Sequence, residues 1–479
     1  MKVRQVLTKA LTDTVYLQFY LVFLWFLTEI PLLMPYTAGL RMTGLVWGAL
    51  CLLTDLCTAR RALHSRYVLC ILAFLLLFGV TVLLNRDAQP AANLTEWVYT
   101  GLLLLVLYPD YACGGDKQRA ARRVTAIALL LCVLTLIASL ISLGMFAAQY
   151  SGSVTCDGTT YPVGFVNRRL TGVYRSAICP TAALGILAAV SQWHAADGQS
   201  RGRRRGWRAF LLCVAAVNWI ELCLAYARAL VIGLMAAAGM IAFFTVRSLA
   251  ADRTRLRRLG AAALAAIVCA AAVYGGFRLV RKTVPYLPQL WQNVSGQIPE
   301  SGPAVGPVNV ERYTPPGYGT LTGRTEIWEK GLRFFAEKPL FGHGAHTLSG
   351  QTQLSVSHEP LTHFHNIVIQ ALVSSGALGT LPLCVLFGGL LYTLLRRLVR
   401  CRRLTPPDRL CLYLTALLVF LFVANVTDTT ILYMGRLAGC LFWSFAGYAL
   451  ILAGDAGPAQ LDRPLVRLLD RPPAVRKER

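Results

Sequence analysis

Residues 124–149 read VTAIALLLCVLTLIASLISLGMFAAQ, a run of apolar and small residues without a single charge. A helix needs roughly 20 such residues to cross about 30 Å of hydrocarbon. Comparable runs recur along the chain between short polar breaks. Since lipid offers no hydrogen-bond partner to a backbone, each run is predicted to form a helix. The predicted fold class is an all-α polytopic membrane protein with about 12 transmembrane helices and one large extracytoplasmic loop that contains short helices.

The composition agrees with this architecture. The 479 residues are 56% hydrophobic and only 15% charged, which is too apolar for a soluble globular protein of this size. The predicted helices lie near residues 15–35, 38–56, 67–85, 94–109, 124–149, 170–193, 208–227, 229–246, 259–280, 376–395, 410–427 and 430–453. The 14 cysteines are interpreted as small core residues, because almost all of them lie in these helices or in cytoplasmic breaks.

The net charge of +24 does not indicate a nucleic-acid partner, because the arginines lie between the apolar runs and form no basic domain. About two-thirds of the Lys and Arg residues fall in alternate breaks and in the two tails, as the positive-inside rule requires of cytoplasmic segments. The sequence therefore predicts a multi-pass protein in contact with membrane lipids, with both termini in the cytoplasm.

One break differs from the others in length. About 80 residues, from Lys282 to Thr362, separate the ninth and tenth predicted helices on the outer side, and a connection this long is usually functional. Within it, Thr325 to Glu337 predicts an amphipathic helix that ends before Pro339. The chain is accordingly divided into helices 1–9 at residues 1–281, the loop with its motif at 282–375, helices 10–12 at 376–453 and a disordered basic cytoplasmic tail at 454–479.

Five of the seven histidines lie at the end of this loop, where the chain re-enters the membrane. They are His343, His346, His358, His363 and His365. The run that follows predicts a short apolar helix, which presents His365 and the amides of Asn366 and Gln370 at the level of the lipid headgroups. For His343, His346 and His358 a structural role is favoured over catalysis.

The order of motifs around these histidines resembles one family. The motifs are GRTEIW at 323–328, PLFGHG at 339–344, His365-Asn366 with Gln370, and GALG at 376–379. They resemble the O-antigen ligase and O-antigen polymerase superfamily of membrane glycosyltransferases in order, spacing and placement, over about 60 contiguous residues. The layout of helices agrees with that family over the rest of the chain.

The resemblance implies an enzyme of the bacterial inner membrane. It would transfer a glycan from undecaprenyl diphosphate to an acceptor hydroxyl on a glycan, a lipid or the cell wall, with inversion and without a metal or other cofactor. The family's essential histidine corresponds to His365, its loop arginine to Arg324, and its arginine between the seventh and eighth helices to Arg228. These three are the predicted catalytic residues.

The chemistry of these residue types suits such a reaction. Guanidinium groups neutralise a departing diphosphate with bidentate geometry and no loss of protonation, and a histidine can take the acceptor's proton near neutral pH. An arginine that interrupts an apolar segment is usually functional, which singles out Arg175 inside the sixth predicted helix and Arg169 just before it. These two arginines, together with His363, Asn366 and Gln370, are the predicted substrate-binding residues.

Two stretches depart from the family pattern. Ala227 stands where members often have Ser, and Arg175-Ser176-Ala177 stands where they have an Asn-rich stretch. Three carboxylates near the apolar segments receive lower weight. Glu29 and Asp428 are interpreted as snorkelling groups or structural ion-pair partners at helix ends, and Glu221 as a group that could orient the arginine two turns further along its face.

Three alternatives stay open. The spacings of His343 with His346 and of His363 with His365 are compatible with zinc, although no Asp-x-Asp motif occurs on the outer side. A repeat-unit polymerase of the same superfamily would share this loop and differ only in its acceptor. A secondary transporter would also fit twelve helices with both termini inside, but such proteins usually show two related halves and a site at the bilayer midplane.

Overall fold

The computed structural model describes residues 13–58, 60–109, 115–156, 158–177, 179–296, 306–311, 323–348, 363–433, 437–455, 457–464 and 466. This part of the chain is 74% helix and 4% strand, so the protein is mostly helical. The helices are α1 Thr14–Thr28, α2 Ala38–Thr58, α3 Val68–Leu84, α4 Pro90–Leu102, α5 Lys117–Ala147, α6 Thr181–Ser191, α7 Arg201–Ala225, α8 Arg228–Leu249, α9 Arg255–Thr283, α10 Leu287–Ser295, α11 Arg324–Glu337, α12 Ile367–Arg400, α13 Pro406–Asn425 and α14 Leu437–Ala453.

Eight helical segments of the described chain are long and apolar enough to cross a membrane. They are Met34–Thr58, Pro90–Leu107, Lys117–Ala147, Arg201–Ala225, Arg228–Leu249, Arg255–Ser295, Ile367–Arg400 and Pro406–Asn425. Four further helices, α1, α3, α6 and α14, are apolar but shorter. Every one of the predicted segments overlaps one of these twelve helices. In α9 only Ala262 and Phe277 are buried although the helix is apolar, so most of its surface is suited to lipid.

The centre of the bundle is α14, in which all residues from Leu437 to Ala453 are buried. Buried polar groups on this helix have partners: Trp443 Nε1 donates to the carbonyl of Ile431 at 2.9 Å, and the Tyr448 hydroxyl bonds to Gln18. A helix that is apolar all round is expected to be enclosed by other helices. The outer helices therefore pack around α14.

The prediction of a helix at 170–193 is wrong in its first half. Residues Arg169–Gly172 form a strand, and α6 begins only at Thr181. Two features prevent an earlier start. Gly172 has a φ of 63°, which lies outside the helical region. Cys179 precedes Pro180, and the α conformation is disfavoured for a residue that precedes a proline. Arg175 consequently lies in irregular backbone and not inside a helix.

A small antiparallel sheet precedes α6, so the fold is not purely α-helical as predicted. Its strands are β1 Ser151–Cys156, β2 Thr159–Val166 and β3 Arg169–Gly172, in the order β1-β2-β3. Asn167 and Arg168, both with positive φ, form the two-residue turn between β2 and β3. The sheet places Arg169 at the start of the last strand, where the chain turns back toward the bundle.

The boundary predicted at 375/376 falls inside α12, which begins at Ile367 and continues to Arg400. Gly376 interrupts its helical geometry with a φ of 64° and a ψ of −175°. The first part therefore corresponds to the predicted short apolar helix, and the second part to the tenth predicted transmembrane helix. At the other predicted boundary, α9 extends two residues past 281.

The tail predicted to be disordered from residue 454 begins with ordered structure. Asp462 is fully buried and accepts hydrogen bonds from the backbone N–H groups of Tyr67 at 2.7 Å and Leu69 at 3.1 Å. A carboxylate at the start of α3 satisfies amide groups that have no partner inside the helix and complements its dipole. This cap folds the first part of the tail against the bundle. Residues 467–479 lie outside the described part of the chain.

Candidate active site

The glycines of two motifs form a close backbone contact beneath the histidine segment. His343 N donates to the Val373 carbonyl at 2.8 Å, and Ala377 N donates to the Pro339 carbonyl at 2.7 Å. A Cβ on Gly342 would lie 2.5 Å from the Val373 carbonyl oxygen, and one on Gly376 would lie 2.2 Å from the Leu340 carbonyl oxygen. Both glycines also have positive φ. The two motifs therefore hold the loop against the start of α12, and only glycine fits there.

The predicted amphipathic helix is confirmed as α11, with Ile327 and Gly331 buried. A Cβ on Gly331 would lie 2.5 Å from Ile369 Cγ2 and 2.8 Å from Phe364 Cδ1, so the helix packs closely on these side chains. Arg324 is the first residue of α11. Packing against Phe364 joins the helix of Arg324 to the segment that carries His363 and His365 on either side of Phe364.

Asn366 and Gln370 organise the start of α12. Asn366 is the N-cap, with Oδ1 accepting from Val368 N at 2.9 Å, while its Nδ2 donates to the Val426 carbonyl at 3.0 Å. Gln370 is 1% exposed, accepts from Phe364 N at 3.1 Å and donates to Ser374 Oγ at 2.9 Å. Gln370 is therefore not presented at the surface as predicted, because both ends of its amide are engaged inside the protein.

His363 and His365 meet the carboxylate of Asp428. His363 Nε2 lies 3.4 Å and His365 Nδ1 lies 3.7 Å from the same oxygen, Asp428 Oδ1, and the two imidazole centroids are 3.9 Å apart. All three side chains are partly buried. His365 has a φ of 47°, which is unusual for a residue with a side chain and places its ring beside His363. Asp428, which the sequence reasoning assigned a structural role, is thus part of the candidate site.

The other loop histidines have structural contacts. His343 is 5% exposed, and its Nε2 lies 2.8 Å from the Phe334 carbonyl. His346 Nε2 lies 3.2 Å from Glu96, and its backbone N–H donates to Asn93. These contacts agree with the structural role predicted for the two residues. His358 lies outside the described residues.

Two arginines stack on Tyr226, at the break between α7 and α8. Arg281 Cζ lies 3.9 Å and Arg228 Cζ lies 5.1 Å from the centroid of the Tyr226 ring. Within the described chain, no ion pair joins either arginine to an acidic side chain. Arg281 Nη2 donates to the Val310 carbonyl at 3.0 Å, whereas its buried Nε has no hydrogen-bond acceptor. Two cations on one ring repel each other, so the arrangement favours an anion beside it. The sequence reasoning identified Arg228 and missed Arg281.

Arg169 approaches the same break. Its Nε donates to the carbonyl of Ala225 at 2.9 Å, next to Tyr226. Arg175 has a different environment, because its Nε lies 3.0 Å from Glu29 Oε2 and its Nη2 lies 3.4 Å from Glu29 Oε1. Glu29 is 4% exposed, so this bidentate pair largely neutralises Arg175. Among the predicted substrate-binding arginines, Arg169 is near Arg228, whereas Arg175 is committed to a structural ion pair.

Glu221 does not orient Arg228. It is 3% exposed, its carboxylate accepts a hydrogen bond from Ser139, and no ion pair joins it to an arginine in the described part of the chain. Gly172 lies against this group, because a Cβ there would be 3.1 Å from Glu221 Oε1. Glu221 thus belongs to a buried polar cluster behind the strand that carries Arg169.

Arg228 and Asp428 lie at the same end of two packed helices. A Cβ on Gly233 of α8 would be 2.8 Å from Phe420 of α13, so the two helices touch there. They are antiparallel, since Ser248 at the end of α8 accepts a hydrogen bond from Leu404 N just before α13. Arg228 is five residues before Gly233, and α13 ends five residues after Phe420, which is about 7.5 Å along each helix. Three residues later comes Asp428.

An apolar cleft of about 500 Å³ leads away from the histidine segment. Its lining residues come from α12, α13, α14 and the chain before α14, and they include Ile367, Val368, Phe387, Leu394, Phe422 and Phe442. Beyond the interruption at Gly376, the lining residues from Thr380 to Leu394 follow α12 for about 21 Å at 1.5 Å per residue. The cleft therefore begins beside Asn366 and follows a large part of the roughly 30 Å of hydrocarbon that a lipid chain occupies.

A family model described as O-antigen ligase matches residues 212–384. The chain carries an O-antigen ligase domain. This domain starts within α7 and ends within α12, and it contains Arg228, Arg324 and His365. The O-antigen ligase domain and the apolar helices identify a multi-pass bacterial membrane protein of the glycosyltransferase type that builds polysaccharides.

No curated protein matches the chain. Outside the O-antigen ligase domain lie Asp428 and Arg169, which contact His365 and Ala225 of that domain, and Arg175, which pairs with Glu29. Asp428 had one signal in the sequence, a carboxylate between the last two apolar segments. The sequence signal for Arg281 was weaker. This arginine lies in the last turn of an apolar helix next to another basic residue, and basic residues at the end of an apolar helix are equally typical of an orientation signal.

Proposed function

We propose that this protein transfers a glycan from undecaprenyl diphosphate to an acceptor hydroxyl at the outer face of the bacterial inner membrane, without a metal. The observation that carries the proposal is the meeting of His365 with Asp428 at the edge of an O-antigen ligase domain. This pair lies at the same end of the bundle as Arg228. A general base and an anion-binding arginine at the same end of the bundle suit a reaction in which a hydroxyl attacks and a diphosphate leaves.

In this mechanism His365 is the general base and Asp428 orients it. The carboxylate accepts the Nδ1–H of the imidazole, which leaves Nε2 free to take the acceptor's proton, as in other base–carboxylate pairs. The present separation of 3.7 Å is longer than a hydrogen bond, and such contacts often tighten only when substrate is bound. The positive φ of His365 and the N-cap of Asn366 support this ring orientation.

The acceptor oxygen attacks the anomeric carbon and forms the new glycosidic bond. The bond from that carbon to the diphosphate oxygen breaks, its electron pair leaves with the diphosphate, and the hydroxyl proton moves to His365 Nε2. Attack opposite the leaving group inverts the anomeric configuration. We assign the diphosphate to Arg228 and Arg281 on Tyr226, with Arg169 beside them, and assign Arg324 to the loop side of the site.

The apolar cleft along α12 suits the polyprenyl chain of the donor. It begins at Ile367, directly after the N-cap of the histidine segment, and its lining is almost wholly apolar. A lipid in this cleft would place its diphosphate at the end of the bundle where the arginines and His365 lie. Burial of hydrocarbon contributes about 0.8 kcal/mol per CH₂ only when that CH₂ leaves water. The polyprenyl chain already lies in hydrocarbon, so the cleft serves to position the lipid and not to extract it from the bilayer.

Side-chain contacts support a topology of twelve spans with cytoplasmic termini and one large outer loop. Within the described residues, each ion pair that connects two different breaks joins breaks predicted on the same side. On the cytoplasmic side the pairs are Arg123–Asp13, Arg66–Asp455 and Arg403–Asp252; on the outer side they are Arg175–Glu29, His346–Glu96 and the two histidines with Asp428. If one span had been missed, the later breaks would change sides, and some of these ion pairs would then join a cytoplasmic break to an outer one.

The test is transfer by the purified full-length protein. A synthetic oligosaccharide on undecaprenyl diphosphate is the donor, and release of undecaprenyl diphosphate is the readout. We expect His365→Ala to abolish transfer and Arg324→Lys to fail as well, since a point charge cannot reproduce the guanidinium fork. His194→Ala, at the cytoplasmic end of the bundle, is the matched control. Normal transfer by His365→Ala would remove the proposed base.

The acceptor distinguishes the ligase from the polymerase of the same superfamily. The same assay is run with a lipid A core oligosaccharide, with a second lipid-linked repeat unit and with a cell-wall glycan. A single product of defined size with the first acceptor indicates a ligase. A ladder of products with the second indicates a polymerase. If donor crosses proteoliposomes but no acceptor is glycosylated, the protein is a transporter.

A further inference from the structure

The meeting of His363, His365 and Asp428 has the form of a metal-ligand set. Each residue offers one ligand atom, and these atoms lie within 4.8 Å of one another. Both imidazoles approach the same oxygen, Asp428 Oδ1. The His365 Nδ1 atom is buried and has no hydrogen-bond partner in the described part of the chain. Three potential ligands therefore converge on a small volume.

The separations fit coordination better than direct hydrogen bonding. The distances from the carboxylate oxygen to the two ring nitrogens, 3.4 and 3.7 Å, exceed the usual 2.7–3.2 Å of an N–H···O bond. In a tetrahedral zinc site with bonds of about 2.0–2.1 Å, two ligand atoms lie about 3.3–3.4 Å apart. A shift of a few tenths of an ångström would bring both nitrogens to that distance from Asp428 Oδ1, and all three ligand atoms already lie within 4.8 Å of one another.

The donor set also selects the kind of ion. Two imidazole nitrogens and one carboxylate suit zinc and neighbouring transition metals, whereas calcium and magnesium prefer oxygen ligands. Three protein ligands leave the fourth tetrahedral position open. The side chains of His363, His365 and Asp428 are 12%, 25% and 14% exposed, so an ion from solution can reach them.

We propose that His363, His365 and Asp428 form a binding site for a divalent transition metal, of which zinc fits best, and that the bound metal blocks glycan transfer. A metal on His365 Nδ1 uses the lone pair of that nitrogen, so the proton of the neutral imidazole resides on Nε2. That nitrogen can then no longer accept a proton from the acceptor hydroxyl. The metal also takes the carboxylate that orients the ring. The site is thus an inhibitory one.

The blocking effect rests on the proposed function, whereas the binding itself does not. Binding is therefore measured first, on the full-length protein in detergent without any substrate. Zn²⁺ is titrated by calorimetry, and Co²⁺ by its visible absorption, which is intense only in tetrahedral coordination. We expect one ion per chain. His363→Ala and Asp428→Asn should each weaken binding at least tenfold, and His363→Gln serves if the alanine variant does not fold.

The matched control is His194→Ala. His194 is partly exposed and its Nδ1 lies 2.7 Å from Asp197 Oδ2, so it is another histidine–carboxylate pair, but at the opposite end of the bundle. This variant should bind Zn²⁺ as the unchanged protein does. Transfer is then measured against Zn²⁺ concentration. It should fall with a midpoint equal to the dissociation constant and return when EDTA is added.

Each failure has a separate meaning. No saturable binding, or equal affinity in the His363 and Asp428 variants, overturns the inference and leaves the proposed function intact. Binding at these residues with undiminished transfer overturns the block. If transfer is absent from the metal-free protein but appears with Zn²⁺, the metal activates rather than inhibits, and both the inference and the metal-free mechanism are wrong.

Discussion

Replacement of Gln370 by Leu tests whether a buried amide sets the position of His365, the proposed general base. The substitution keeps the side-chain volume but removes the acceptor of the Phe364 N–H. Phe364 is 4% exposed, so water does not replace the lost acceptor of its N–H group. A buried donor without an acceptor lowers the stability by about 1–3 kcal/mol. The neighbouring His365 holds a φ of 47°, which costs about 1–3 kcal/mol and persists only while its surroundings enforce it.

We therefore expect Gln370→Leu to release the segment and to lower kcat about 5- to 160-fold, which corresponds to about 1–3 kcal/mol. The KM for the donor should change little, since the Gln370 amide is buried and hydrogen-bonded at both ends inside the protein. The control is Ser374→Ala, which removes the other partner of Gln370 and leaves the Phe364 bond in place. Both variants should lose some thermal stability, but only the first should lose kcat. Equal kcat in both variants would refute the positioning role.

Three further predictions follow from individual contacts. Asp428→Asn should lower kcat about 10²- to 10⁴-fold, because an amide cannot favour the same tautomer of His365; a rate within twofold of the unchanged protein would exclude Asp428 as the orienting group. Arg281→Lys should raise the KM for the diphosphate donor about tenfold through loss of the stacked fork, whereas Arg278→Lys, on the same helix, should leave it unchanged. Glu29→Gln should lower the free energy of unfolding by about 1–3 kcal/mol, since it leaves the partly buried Arg175 without a counter-charge, and thermal unfolding should show part of that loss restored in Glu29→Gln/Arg175→Met.

The helices could be predicted from the sequence because membrane insertion imposes a simple rule on composition. Every predicted apolar segment overlaps a helix, and α11 was predicted to within one residue at its start. Apolar length and helical periodicity are properties of single segments, so they can be read without knowledge of packing. His365 and its motif were identified in the same way, from residues that are close in the sequence.

The strands before α6 could not be found by a search for apolar runs. Their residues are mostly small, polar or β-branched, and the signals that mark them are turn residues. Asp157-Gly158 is a typical hairpin turn sequence, but the neighbouring apolar run from Leu170 led to the prediction of a helix. The positive φ of Gly172, which glycine adopts readily, and the contact of Arg175 with Glu29 then stabilise irregular backbone where the apolar run predicted a helix.

The partners of the site residues were the least predictable feature, because they come from breaks that are distant in the sequence. Asp428 follows α13 and Arg281 ends α9, and each reaches its partner only through helix packing. Arg175 illustrates the opposite case. An arginine in an apolar segment indicates function only if its charge is free to bind a ligand. The Arg175 guanidinium is instead paired with the carboxylate of Glu29, which lies nearly 150 residues earlier in the chain.

The motifs that identify the family owe much of their sequence to packing rather than to catalysis. Gly342 and Gly376 are required because two backbones meet at distances that exclude a Cβ, and Gly331 because α11 lies directly on Phe364 and Ile369. These contacts fix the histidine segment, and with it the proposed base His365, against α12. Under the proposed function we therefore expect acceptor choice to depend on elements outside these motifs, such as the strands and the irregular segment before α6, where the sequence departs from the family pattern.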